Sequence, residues 1–88
     1  MSPTWKQRDK AGTLEARFEF TSFSVLRDFL DEAAEVAEKL GHHPNLSFGR
    51  EHVSVIIYAQ SGSLAEIDFA LAEGIDAALT KVMQESGR

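Results

Sequence analysis

The chain has 88 residues and a net charge of −5, and it contains no cysteine. This length predicts a single domain spanning 1–88, and the acidic balance argues against nucleic acid or an anionic membrane as a partner. The lack of cysteine excludes disulfides and thiolate zinc sites. No apolar run approaches the ~20 residues of a membrane span, and residues 1–9 show no apolar leader. The sequence therefore predicts a cytoplasmic protein.

The first two predicted strands lie before residue 21. Residues 1–13 are polar and predict an arm with at most a short strand around Trp5. From Leu14 to Phe20, apolar side chains alternate with charged ones. A period of two predicts a strand that buries one face and exposes the other.

An amphipathic helix is predicted next, from a cap at Thr21 or Ser22 to Leu40. Its apolar residues recur at helical spacing, which places them on one side. Gly41 fits the left-handed position that ends many helices, and Pro44 prevents the helix from resuming.

A hairpin and a second helix complete the chain. The runs 45–48 and 52–60 predict two antiparallel strands that turn near Gly49. Ser63 to Glu66 fits a capping box at the start of the second helix. The predicted fold is α+β in the order β-β-α-β-β-α, with both helices covering one face of a four-stranded antiparallel sheet.

The tripeptide His42-His43-Pro44 is the strongest candidate for chemistry. Imidazole exchanges protons near neutral pH, so paired histidines suit general acid–base catalysis. Glu38 lies one helical turn earlier and could reach the same pocket. The alternative is a pair of surface histidines without a catalytic role. Two adjacent histidines rarely point at one ion, so no metal site is predicted.

These residues resemble a known family. Glu38-x-x-x-His42-His43-Pro44, followed after a hairpin by Asp68-x-x-Leu71-Ala72, is similar to the pattern of the pterin-4a-carbinolamine dehydratases. The resemblance spans nearly the whole chain, and it includes further aromatic positions upstream: Trp5, Phe18, Phe20 and Phe29.

The resemblance implies a reaction, an assembly and a set of site residues. The reaction is loss of water from a 4a-hydroxytetrahydropterin, without a metal or redox cofactor. The assembly is a homodimer or homotetramer. His42 and His43 take the catalytic positions, with His43 also helping to hold the pterin. Glu38, Pro44, Gln60 and Asp68 take pterin-binding positions.

The sequence departs from the family pattern at two places. Arg50 stands where an aromatic residue is expected, and Gln60 stands where a second catalytic histidine is expected. Glutamine forms hydrogen bonds but exchanges no proton at neutral pH. Losing one general acid or base costs about 10²–10⁴-fold in rate. The sequence therefore predicts weak or absent dehydratase activity.

Three functions follow as hypotheses. The first is a binding or assembly module, since 45–50 and the Val-rich strand after it resemble the dehydratase-like Rubisco assembly factors of α-carboxysomes. Its client, such as Rubisco, would dock on the sheet face with Ile56 and Tyr58 or on the acidic side of the first helix, and the protein would associate with carboxysomes. The second is an active dehydratase in tetrahydrobiopterin recycling. The third is a pterin-binding protein without catalysis.

Overall fold

The computed structural model describes residues 4–86, so the ends of the predicted domain 1–88 lie outside the described residues. The elements follow the predicted order β-β-α-β-β-α, which confirms the α+β fold. Their bounds are β1 Lys6–Arg8, β2 Thr13–Glu19, α1 Phe23–Leu40, β3 Asn45–Phe48, β4 His52–Tyr58 and α2 Glu66–Ser86. No helix within this range is both long and apolar enough to cross a membrane.

The four strands form one antiparallel sheet in the order β1-β2-β4-β3. The strand β2 pairs with β4 over its whole length, from Thr13 opposite Tyr58 to Glu19 opposite His52. This register brings the buried residues of the two central strands to the same face, as the alternation predicted.

The hydrophobic core lies between that face and the two helices. Rings of the sheet and of α1 meet in it: Phe29 lies 5.4 Å from both Phe18 and Phe20, measured between ring centroids. The helices also pack on each other, and Gly74 allows their approach, because a Cβ there would lie 2.5 Å from Val36 Cγ1. The buried apolar residues are Trp5, Leu14, Ala16, Phe18, Phe20, Leu26, Phe29, Ala33, Ala37, Val53, Val55, Ile57, Leu71, Ala72, Ile75, Ala78 and Val82.

The polar arm before β2 is anchored by Trp5. Its indole Nε1–H donates to Asp76 Oδ1 in α2 at 2.8 Å, and its ring packs edge-on against Phe18 at 5.9 Å. The short strand predicted around Trp5 is present, but it begins one residue later, at Lys6.

Two predicted boundaries differ from the structure. The strand β4 ends at Tyr58, two residues before Gln60. The predicted capping box from Ser63 to Glu66 is wrong, because α2 begins at Glu66 and its first turn is closed by other groups. Those groups belong to the candidate site.

Candidate functional site

The end of α1 places His42 inside the protein. Gly41 adopts the predicted left-handed conformation, with φ 66° and ψ 28°, and its N–H donates to Glu38 O. The His42 N–H donates to Ala37 O at 3.2 Å. This pair of bonds is a Schellman motif. It turns the chain so that His42 is only 7% exposed.

Asp68 is a carboxylate in the first turn of α2 and has 0% exposure. Its Oδ1 lies 2.6 Å from His42 Nε2 and accepts the Gln60 N–H at 3.3 Å. Its Oδ2 accepts the Ala65 N–H at 2.9 Å. A buried carboxylate needs partners of this kind to offset its lost hydration. We call these four residues, Asp68, His42, Gln60 and Ala65, the Asp68 cluster.

The start of α2 explains why an acid is placed there. The Asp68 and Phe69 N–H groups both donate to Ala65 O, which makes Ala65 the N-cap and Asp68 the third helical residue. An acid at this position reaches back to the N-cap N–H, as in a capping box, and the positive end of the helix dipole favours its charge. The spacing Ala65-x-x-Asp68 is the signal in the sequence that the prediction missed.

The side chain of Gln60 contacts the end of α1. Its Nε2 donates to Gly41 O at 3.3 Å, while its backbone N–H donates to Asp68. Gln60 therefore faces the segment that carries His42, and it connects the α1 terminus to the turn before α2. Its amide lies where the family resemblance expects the second imidazole.

Glu38 and His43 lie at the surface, outside the Asp68 cluster. Glu38 Oε2 is 3.9 Å from His43 Nε2, and these side chains are 82% and 65% exposed. A pair this exposed is worth little to stability. Pro44 is half-buried and directly precedes β3. The structure thus brings His42, Gln60 and Asp68 together and leaves Glu38 and His43 facing solvent.

The third histidine is remote from the cluster. His52 begins β4 and Gln60 lies two residues after its end, so at ~3.3 Å per residue the two are roughly 25 Å apart. Among residues 4–86, no group of three or more potential ligands could hold a metal ion.

The geometry supports hydrogen bonding more readily than proton transfer. A carboxylate oxygen accepts hydrogen bonds, so the 2.6 Å contact with Asp68 uses an Nε2–H of His42 as its donor. A carboxylate held against an imidazole also orients it, as in many hydrolytic sites. Here, however, the oriented ring is buried, and the exposed His43 lies 3.9 Å from Glu38.

Three surface depressions measure about 420, 350 and 170 Å³. None of these three is lined by a predicted catalytic or pterin-binding residue. The first and third lie on acidic parts of α1, and the second lies on the sheet, where it is lined by residues from β1, β2 and β4.

Comparison with known proteins gives a consistent family match. The family model described as pterin 4 alpha carbinolamine dehydratase matches residues 1–78. A protein of Rhizobium etli, provisionally named pterin-4-alpha-carbinolamine dehydratase, is 35% identical over 78 residues, covering 88% of this chain and 77% of its own length. A Cupriavidus pinatubonensis protein with the same provisional name is 41% identical over 54 residues, which span 61% of this chain and 47% of the relative.

Two solved structures are similar in both sequence and fold. One is a pterin dehydratase-like protein identified as a RuBisCO assembly factor in the alpha-carboxysome; it is 35% identical, with a TM-score of 0.77 and coverage of 86% of this chain and 89% of that one. The other is a transcriptional coactivator/pterin dehydratase from Brucella melitensis, 28% identical, with a TM-score of 0.79 and coverage of 88% and 83%.

Proposed function

The chain belongs to the pterin 4 alpha carbinolamine dehydratase family, and from this premise we propose that it is a binding and assembly module with weak or no dehydratase activity. The observation that carries the proposal is the position of Gln60. Its amide bonds to Gly41 O beside His42, where the family resemblance calls for a second imidazole.

The chemistry needs two groups that exchange protons. One protonates the departing hydroxyl and the other removes the proton from the ring nitrogen. A glutamine amide can do neither at neutral pH. His42 Nε2 is already bonded to Asp68 at 2.6 Å, and the His43 side chain faces solvent. We expect turnover about 10²–10⁴-fold below that of a two-histidine family member.

The assembly role is supported by the likeness to the alpha-carboxysome protein, at 35% identity and a TM-score of 0.77. We propose that this chain also assists Rubisco assembly, acts as a homo-oligomer and associates with carboxysomes. Its stable β-β-α-β-β-α domain would then serve as a scaffold for contacts with the client.

A dehydration assay tests the loss of activity. Purified protein is mixed with a 4a-hydroxytetrahydropterin, and the formation of the quinonoid dihydropterin is followed by absorbance. We expect a rate near the uncatalysed background, a marked gain for Gln60→His and no gain for Gln60→Asn, which keeps the amide. Turnover by the unmodified chain at the rate of a two-histidine family member would refute the proposal.

An assembly assay tests the proposed role in Rubisco assembly. Rubisco subunits are refolded or co-expressed with and without the protein, and native electrophoresis measures the yield of the assembled enzyme. We expect the yield to rise with the protein present. An unchanged yield, together with no co-purification of Rubisco, would exclude Rubisco as the client.

The second candidate is an active dehydratase in tetrahydrobiopterin recycling. It is favoured by the complete Glu38-x-x-x-His42-His43-Pro44 pattern and by the provisional names of the relatives. In that case the unmodified chain is active, and His43→Ala removes the activity.

Pterin binding without catalysis would instead give a heat of binding in calorimetry with a reduced pterin and no turnover.

A further inference from the structure

The sheet has one face without a helix over it among residues 4–86, and we call it the outer face. Strand pairing places Lys6, Glu15 and Ile56 in one row across β1, β2 and β4. The next row holds Arg17 and Ser54. Side chains in adjacent rows lie about 7 Å apart, so these five residues form one continuous surface.

Some charged residues of the outer face form ion pairs and others do not. Glu15 Oε2 pairs with Arg8 Nε of β1 at 2.9 Å and accepts a hydrogen bond from Thr13 Oγ1 of its own strand at 3.3 Å. Lys6 and Arg17 are exposed, and neither makes an ion pair with another residue of the described part of the chain. Glu19 follows Arg17 at the end of the strand and is also exposed. The outer face therefore carries two cations and one acid that make no ion pair among the described residues, on a chain whose net charge is −5.

An apolar side chain, Ile56, lies on the outer face near these cations, with Glu15 between it and Lys6 in the same row. A depression of about 350 Å³ is lined by Lys6, Arg17, Ser54 and Ile56, together with Thr4, Ala16, Val55 and Glu15, whose carboxylate is already paired with Arg8. Ile56 is half-buried, and Tyr58 beside it is 53% exposed. Exposed apolar groups surrounded by charged and polar residues are typical of protein interaction sites.

We propose that the outer face binds an acidic segment of a partner protein that also carries an apolar side chain. The apolar side chain fills the depression over Ile56, and flanking carboxylates pair with Lys6 and Arg17. Charge complementarity of this kind sets orientation and speeds association. This inference rests on the proposed assembly function, for which it names the docking surface.

The acidic side of α1 is the competing surface. Asp28, Asp31 and Glu35 line the depression of about 420 Å³ there. Charges on an exposed helix usually interact with water alone, and the structure shows nothing else at this site that points to a ligand.

Charge reversal on opposite sides of the protein tests the inference. The variant is Arg17→Glu, and the matched control is Arg27→Glu, an exposed arginine on α1 that undergoes the same change in charge. Binding to Rubisco is measured by co-purification and by surface plasmon resonance at two salt concentrations. We expect Arg17→Glu to weaken binding by roughly 10-fold or more, with the loss reduced at high salt, and Arg27→Glu to leave it unchanged.

Lys6→Glu, on an exposed edge strand, repeats the test without altering a central strand, and circular dichroism confirms that each variant folds. Equal losses in Arg17→Glu and Arg27→Glu, or no loss in either, would overturn the inference. An oligomer that dissociates in Arg17→Glu while Rubisco binding persists would also overturn it, since the outer face would then join copies of this chain.

If the unmodified protein does not bind Rubisco, that result refutes only the proposed client. A peptide probe then still tests the docking surface. A synthetic decapeptide alternating glutamate with leucine and phenylalanine is titrated into ¹⁵N-labelled protein. We expect amide shifts at Arg17, Ser54 and Ile56 that disappear in Arg17→Glu. Shifts confined to α1, or none at millimolar peptide, would refute the docking surface itself.

Discussion

The Asp68 cluster and the outer face use polar groups in opposite ways. In the cluster, one carboxylate accepts from His42, Gln60 and Ala65, and its side chain is wholly buried. On the outer face, Lys6 and Arg17 remain exposed without an ion partner among the described residues. Polar groups that are paired inside the protein stabilise its fold, whereas uncommitted ones can be removed without loss of stability and are available to a partner.

The largest expected effect comes from breaking the cluster at its centre. Asp68→Ala leaves two backbone N–H groups and a buried histidine without their acceptor, which we expect to cost about 3–5 kcal/mol of unfolding free energy. Urea unfolding followed by circular dichroism measures it. The control is Glu66→Ala, an exposed acid in the same helical turn, and an equal cost for both variants would contradict the role of Asp68.

The two neighbouring histidines provide the next comparison. His42→Ala removes a buried hydrogen bond to a carboxylate, with an expected cost of about 2 kcal/mol. His43→Ala removes an exposed side chain, with an expected cost below about 0.5 kcal/mol. The same urea titration separates them. Equal costs would mean that the 2.6 Å contact of His42 with Asp68 contributes nothing to stability.

A smaller, pH-dependent effect is expected between the helices. The hydrogen bond from Lys81 Nζ to Glu32 Oε1, at 2.6 Å, lowers the pKa of Glu32 from its usual 4.5. A lowered pKa in the folded state stabilises the protein above the unfolded pKa, and this contribution disappears as the pH falls through the folded value. The unfolding free energies of the protein and of Glu32→Gln should therefore differ at neutral pH and converge as the pH falls below the lowered pKa of Glu32. A constant difference would exclude the ion pair as its source.

The smallest expected effect is on the outer face. Arg17→Ala should change the unfolding free energy by less than about 0.5 kcal/mol, because the side chain is exposed and makes no ion pair with a described residue. Thermal unfolding measures the change, and Asp68→Ala serves as the control for which a large loss is expected. A loss above 1.5 kcal/mol would show that Arg17 supports the fold, and the contrast between the two regions would disappear.

The order of elements could be predicted because it depends on local patterns. Alternation marks β2, helical periodicity marks α1, and Gly41 marks where α1 ends. The start of α2 was missed because alanine is a poor N-cap residue. Ala65 serves here only because Asp68, three residues later, accepts its N–H.

The site was predicted less completely, for reasons that differ between residues. Glu38 follows the buried Ala37 directly and so lies about 100° around the helix, on the solvent side. Helical periodicity alone predicts this solvent-facing position, whereas the family pattern predicts that Glu38 lines a pocket. Alternation along β4 predicted a sheet face with Ile56 and Tyr58. It did not predict the row from Lys6 to Ile56, because that row exists only once distant strands pair in this register.

The hydrogen bond between Trp5 and Asp76 joins two points 71 residues apart in the chain. During synthesis, the amino-terminal arm therefore cannot form this hydrogen bond until residue 76 has left the ribosome. A nascent chain stalled before residue 76 would show the red-shifted emission of a hydrated indole.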